Sequence, residues 1–336
     1  MKKYGIMVIG CGHIGCQHLE DIYYRENIQI IATVDSNVDN AILAQKKYGA
    51  LEHSNDYKAY LNDDRVDIVI IATYTSSHLP ILKECVESGK HVLCEKPIAT
   101  TLEGGEEFVK VAKNAKTKIL VAHILRHNNS YNKICEMIHD GVIGELKSIR
   151  MVHNHHALDR KRFTNLLNDC SPVLDCGVHY IDVAQWFTGS KICEVSGIGT
   201  KIDENAAHYD YTLMTFRMEN GCVGYYEAGW HVGIESQNTK EFIGTKGRIS
   251  LVLQDNRADN REEGDLIKLY DNATGEYKTI NNNSQYKDMY GQVCTLIDMI
   301  ENDTEGNPTI DDVFSAFKIA CLAQEAIAEN KIIKID

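Results

Sequence analysis

No stretch of the chain approaches the ~20 consecutive apolar residues that a membrane-spanning helix needs. Clustered basic residues are missing too. Lys and Arg number 35 against 48 Asp and Glu, a net charge of -13. Nucleic-acid binding needs a basic patch or stripe, so no nucleic-acid partner is expected. No polybasic amphipathic stretch suggests a membrane surface. Low-complexity tracts and internal repeats are absent. The eleven cysteines are odd in number, scattered, and never arranged as C-x-x-C, which argues against a disulfide framework. Cys85, Cys94, Cys135 and Cys321 fall in apolar-patterned segments and read as small core residues. The opening MKKYGIMVIG imitates the basic start of a signal peptide, but its apolar run, Ile6 to Ile9, is too short for an h-region. The expected location is a reducing cytoplasm.

What is present points to two domains. A length of 336 residues exceeds the ~250–300 at which single cores stop growing. Residues 4–9, 28–34, 67–72, 91–94 and 118–122 are short, β-branched, nearly continuous apolar runs, the pattern of strands buried on both faces of a parallel sheet. Helical periodicity fills the intervals, at about 14–25, 38–48, 77–89 and 102–115. Such alternation predicts right-handed βαβ units and a doubly wound α/β sheet.

The first turn reads GCGHIG. Gly10, Gly12 and Gly15 follow a predicted strand and open a predicted helix, and Asp35 ends the second strand. That combination is the dinucleotide fingerprint. Gly10 permits the tight turn, Gly12 lets the backbone approach the pyrophosphate, and Gly15 allows close helix–strand packing. His13 and Ile14 stand at the helix start, where phosphate is bound. Asp35 can accept hydrogen bonds from ribose hydroxyls and would repel a 2′-phosphate. Ser36 and Asn37 follow with no Arg. NAD is therefore expected over NADP.

After about residue 123 the pattern changes. A helix at about 129–140 leads to an alternating strand, GELKSIRMVHNHH. Ser171 and Pro172 can start a helix that Gly189 ends, and Gly177 interrupts it where a ligand could approach closely. Asp175, His179 and Asp182 fall at i, i+4 and i+7 on one face. The stripe reads either as a solvated helix face or as a carboxylate-supported general base. Strands follow at about 193–203, 207–218, 221–231, 236–245, 248–253 and 266–271, then helices at about 286–302 and 311–329. Such an open, mainly antiparallel sheet leaves an apolar face that invites a partner subunit.

Three pieces stand in order: GCGHIG with Asp35, E-K-P at 95–97, and DCGVHYID at 175–182. Together they resemble the glucose–fructose oxidoreductase/inositol dehydrogenase family of NAD(P)-dependent enzymes, over nearly the whole chain. The resemblance implies a Rossmann domain at 1–123 and a substrate-binding and oligomerisation α/β domain at 124–336. The last helix, about 311–329, is a candidate to pack back on the Rossmann domain. It also implies oxidation of a secondary alcohol of a sugar, glycoside or inositol, in a homodimer or homotetramer joined through the second sheet. Carried onto this chain, it puts Glu95 near the nicotinamide ribose and Lys96 on substrate and cofactor. Asp175 and His179 complete the catalytic group, and Arg126 stands beside it as a contact of cofactor and substrate. Departures fall at Asp169 to Pro172, where the family often has three glycines, and at Tyr74 and Thr75, where it often has Pro-Asn. Both touch the substrate or nicotinamide surroundings.

Read with the family, Lys96 at a strand C-terminus can stabilise a developing alkoxide while His179 takes the proton. Thr73 and His78, after the run at 67–72, are further candidate cofactor contacts, His78 being equally suited to starting a helix. His153, Asn154, His155 and His156 form HNHH. On a strand, His153 and His155 face one way and His156 the other. No thiol or carboxylate stands nearby in sequence to complete a ligand set, so no metal is expected, and His155 is assigned to substrate. Cys170 and Cys176 read as packing residues, and Tyr286 and Tyr290 as core aromatics or pocket edges. Two other functions occur on the same fold, the second without need of Lys96, Asp175 and His179 together. One is an NAD-dependent glycosidase using transient oxidation, and the other a non-catalytic NAD-binding regulator.

Overall fold

The computed structural model describes residues 2–253, 265–282 and 287–335. Tyr286 lies outside them. The chain divides into two units, Met1–Ile124 with Asp288–Phe314, and Leu125–Lys287 with Ser315–Asp336.

The first unit alternates strand and helix as its apolar runs predict. Its elements are β1 (Tyr4–Ile9), α1 (His13–Ile22), β2 (Ile28–Val34), α2 (Val38–Tyr48), β3 (Glu52–Ser54), β4 (Ile68–Ile71), α3 (His78–Glu87), β5 (His91–Cys94), α4 (Leu102–Asn114) and β6 (Ile119–Val121). The strands form a parallel sheet in the order β3-β2-β1-β4-β5-β6. Strand order therefore reverses beside β1, and a doubly wound sheet opens its ligand crevice at such a point. Every residue of β1 and β4 is buried, which explains their unbroken apolar sequence. Asn37 caps α2 through the Asp39 amide, Gly49 closes that helix at φ 70°, and Thr101 caps α4. The edge strand β3 reads Glu-His-Ser and carries no hydrophobic pattern to betray it.

The second unit follows with α5 (Asn129–His139), β7 (Leu146–His156), α6 (Arg160–Asp169), α7 (Pro172–Asp175), α8 (Gly177–Thr188), β8 (Ile192–Thr200), β9 (Tyr211–Met218), β10 (Val223–His231), β11 (Gln237–Gly244), β12 (Gly247–Val252), β13 (Asp265–Asp271) and β14 (Tyr277–Asn282). The chain ends with α9 (Met289–Asn302), α10 (Ile310–Glu329) and β15 (Ile333–Lys334). The second sheet runs β14-β13-β12-β11-β7-β10-β9-β8-β15. All neighbours are antiparallel except β7 and β10. Alternation is clear in β9, where Thr212, Met214, Phe216 and Met218 are buried. One face meets α8, with Phe187 against Phe242 at 5.0 Å between centroids and Tyr180 stacked on Tyr226 at 4.7 Å.

The opposite face departs from the apolar surface expected of it. Arg150, Glu241 and Tyr225 stand in register across β7, β11 and β10, and Arg150 pairs with Glu241 at 2.7 Å. Exposed apolar groups such as Ile198 share that sheet with these charges, so the surface is mixed.

Two further departures concern helices. The segment that returns to the first unit is α9, whose Val293, Leu296, Ile297 and Met299 join the core of Ile6, Leu19, Leu93 and Leu120. Most of α10 belongs to the second unit, where Gln324 accepts a hydrogen bond from Ser171 at 2.6 Å. Helix α6 was not expected from the sequence. It is mostly polar, and Leu167 is its buried residue.

Candidate functional site

The glycine turn of the first unit is built as its spacing requires. Gly10 has φ +92°, and a Cβ there would lie 2.4 Å from Ala72 O. A Cβ on Gly15 would lie 1.8 Å from Gly10 O, so no side chain fits between helix and strand. Gly12 differs, because a Cβ there meets nothing within 4 Å. It is the N-cap of α1, and among the described residues no side chain caps that helix start. The open space over an uncapped helix N-terminus suits a phosphate. His13 is exposed and Ile14 half-buried beside it.

Asp35 is fixed at the mouth of this turn. Its Oδ2 accepts from Cys11 N at 2.8 Å, and its Oδ1 accepts from Asn37 N at 2.9 Å. The carboxylate thus ties the loop after β2 to the glycine turn. Burial, reinforced by the Asp35 charge, pushes the Cys11 thiol up to about 12, so it is a packing group there rather than a nucleophile.

At the end of β5 the structure adds a residue that the sequence reading missed. Glu95 is buried, and its Oε1 lies 2.8 Å from Nε2 of His18, which has no exposed surface. Lys96 N donates to Glu95 Oε2 at 3.3 Å. The signal was legible in principle, because Gly15, His18, Leu19 and Ile22 form the buried stripe of α1. A lone imidazole on such a stripe needs a polar partner.

His78 proves to be a structural pin. It starts α3, is 1 % exposed, and its ring nitrogens lie 2.8 Å from Pro97 O and 3.1 Å from Thr73 O. Both nitrogens are engaged by the protein, which argues against the direct cofactor contact expected of it. The residue instead links the turn holding Thr73 to the segment just after Lys96. Lys96 itself is half-buried.

In the second unit, Ser171 caps the predicted helix and Gly189 ends it, but the helix bends between α7 and α8 at Cys176. Asp175 and His179 flank that bend, both half-buried. The stripe therefore divides. Asp182 is buried and receives Arg126 in a fork, Nε to Oδ2 at 2.9 Å and Nη2 to Oδ1 at 2.7 Å. The guanidinium also stands 4.7 Å from the Trp186 ring centroid. Arg126, expected on cofactor and substrate, is thus a main support of α8. A Cβ on Gly177 would meet the Tyr226 ring at an ordinary 3.5 Å, so its neighbour on that side is protein.

Beneath the bend lies a cluster of imidazoles and aromatics. The His153 and His155 rings are 4.3 Å apart, and Tyr180 OH lies 3.0 Å from His153 Nδ1. His156 turns away to Ile234 O. A thiol does complete a donor set here, contrary to expectation. A ring nitrogen of His153, one of His155 and the Cys176 sulfur lie within 4.8 Å of one another. Cys176 is remote from HNHH in sequence, so only folding brings it there. Burial pushes the Tyr226 phenol well above its usual range and the Lys240 amine well below.

A parallel sheet that reverses at β1, with a glycine turn and a fixed acidic residue beyond β2, defines a Rossmann-type dinucleotide-binding protein. Residues 4–123 match the family model described as "Oxidoreductase family, NAD-binding Rossmann fold", and 131–250 match the GFO/IDH/MocA C-terminal domain. The chain belongs to the GFO/IDH/MocA family and is an NAD-binding oxidoreductase. It is 24% identical over 342 residues to the myo-inositol 2-dehydrogenase of Thermotoga maritima, covering 98% of each chain. It is 25% identical over 247 residues, 72% of each, to a scyllo-inositol 2-dehydrogenase (NAD(+)) of Bacillus subtilis. The same fold occurs in scyllo-inositol dehydrogenase from Lactobacillus casei, solved with NAD(H) and scyllo-inositol. That match has a TM-score of 0.79 and 23% identity, and covers 99% of each chain.

Proposed function

We propose that this protein oxidises a secondary alcohol of a cyclic polyol or sugar with NAD, and that an inositol is the first substrate to test. The observation that carries the reading is the joint presence, in a chain of this family, of four features. These are the glycine turn with Asp35, Lys96 after β5, and Asp175 and His179 flanking the α7–α8 bend. The names of the curated relatives support the substrate class.

The cradle fits the dinucleotide, since Gly12 leaves open the space a phosphate needs and Asp35 offers a carboxylate suited to ribose hydroxyls. Gly10, Gly12, His13 and Ile14 would hold the pyrophosphate and Asp35 the adenosine ribose. Thr73, Glu95 and Lys96 would serve the nicotinamide half. His78 supports this set through Thr73 and Pro97, as Arg126 supports Asp182. NAD, when bound, supplies the hydride acceptor. Lys96 Nζ donates a hydrogen bond to the reacting hydroxyl oxygen and stabilises its alkoxide character. His179 takes the hydroxyl proton on a ring nitrogen, and the Asp175 carboxylate favours the charged ring. His155 binds a neighbouring hydroxyl.

Because neutral imidazole is the acceptor, oxidation should fall toward acid pH while ketone reduction gains there. His179→Ala should lower turnover and flatten the acid limb. An unchanged limb in an active variant would assign the proton to another group. The direct test is an inositol and sugar panel with NAD, followed by NADH absorbance. A protein that binds NAD yet reduces it with no member of the panel would refute the substrate class. We also place the protein in the cytoplasm, a reading supported by eleven cysteines none of which is in a disulfide. Assembly as a homodimer or homotetramer through the outer sheet face is proposed with it, and sedimentation would measure it.

A further inference from the structure

We propose that His153, His155 and Cys176 form a three-ligand site for a zinc-class divalent cation, its fourth position taken by water. The three donor atoms lie within 4.8 Å of one another, and Asp175 Oδ2 is 3.4 Å from Cys176 Sγ. Two imidazoles and a thiolate make a borderline-soft donor set that suits Zn2+ and disfavours Mg2+ or Ca2+.

The setting is that of a ligand site. His153 and His155 sit at i and i+2 of β7, so the strand itself holds both rings on one side. Tyr180 OH beside His153 Nδ1 can orient that ring, as outer partners of metal-bound histidines do. Phe163 and Trp230 pack against His155, at 5.8 and 6.5 Å between centroids. Apolar walls around polar donors lower the local dielectric and strengthen a cation's hold. Bond lengths of ~2.0–2.3 Å place tetrahedral ligand atoms roughly 3.3–3.7 Å apart. The cluster therefore closes by about an ångström on binding, within reach of side-chain rotation. Binding takes Cys176 as thiolate, so the thiol proton passes to solvent.

Metal binding stands apart from the proposed polyol oxidation, since its readout needs no substrate. His155 also belongs to the proposed substrate set, so an ion here should inhibit turnover. The experiment titrates the full-length protein with Zn2+ against a chromophoric chelator, and with Co2+ by absorbance. The expected result is one tight equivalent, a thiolate-to-cobalt charge-transfer band and the visible bands of a tetrahedral ion. Cys176→Ser should abolish the charge-transfer band. His153→Ala with His155→Ala keeps every thiol and should weaken binding by at least the roughly 10–100-fold that outer partners alone carry. If Cys176→Ser fails to fold, the histidine variant decides. Wild-type protein that competes no better than the histidine variant would overturn the site, as would a charge-transfer band that survives Cys176→Ser.

Discussion

In the six-stranded sheet, β1 and β4 are buried along their whole length, whereas β9 in the nine-stranded sheet buries every second residue. The two units also build their candidate sites from different material. The first uses backbone: a glycine turn, a helix start and the peptide of Lys96, with Asp35 and Glu95 as the principal side chains. The second uses side chains that arrive from β7, α8 and the bend before it. A site made of contiguous backbone is written in a few adjacent residues. A site made of convergent side chains depends on packing and register, and tolerates change at any one element less visibly.

The largest effect should come from the side-chain-built unit. Asp182→Ala leaves the mostly buried Arg126 guanidinium without its bidentate acceptor. Breaking such a pair costs about 3–5 kcal/mol, to be measured by chemical denaturation. A loss below ~1 kcal/mol would show that Arg126 is supported mainly by other contacts.

Next comes Lys96→Ala, which should keep NAD affinity and lower turnover by roughly 100- to 1,000-fold, the scale of a lost oxyanion donor. Near-native turnover would reduce Lys96 to an ordinary strand-end residue.

The backbone-built site makes a sharper, smaller contrast. Gly15→Ala forces a Cβ to 1.8 Å from Gly10 O and should destabilise the NAD-free protein by about 1–3 kcal/mol. Gly12→Ala meets nothing within 4 Å and should leave the melting temperature unchanged while weakening NAD binding. Equal melting temperatures for the two variants would contradict the division of labour among the glycines.

Smallest is the change of cofactor preference. Asp35→Ser with Ser36→Arg should shift the NAD-to-NADP affinity ratio by about tenfold, roughly 1.4 kcal/mol, because a like charge beside the 2′-phosphate is removed and a positive one added. Native protein that binds NADP as tightly as NAD would show that Asp35 does not set the preference.

The strands of the first unit were legible because burial on both faces leaves an unbroken β-branched run. The cradle was legible for a related reason: each glycine answers a constraint from residues close by in a single βαβ unit. Edge strands β3 and β14 and helix α6 were not. Their residues are largely polar and half-exposed or exposed, so neither a period of two nor one of 3.6 stands out. The bend at Cys176 was hidden for another reason, since Gly177 announced an interruption without its direction.

The amino-acid order by itself determined the doubly wound sheet, the dinucleotide turn, the cap at Ser171 and the stop at Gly189. Each is governed by backbone sterics or by periodicity within a few residues. Tertiary structure alone decided that His18 meets Glu95, that Asp182 belongs to Arg126 and that Cys176 joins His153 and His155. Those pairings join residues far apart in the chain, and no local preference encodes them. They arise because buried polar groups must find partners, and which partners are in reach is set by how helices and strands pack.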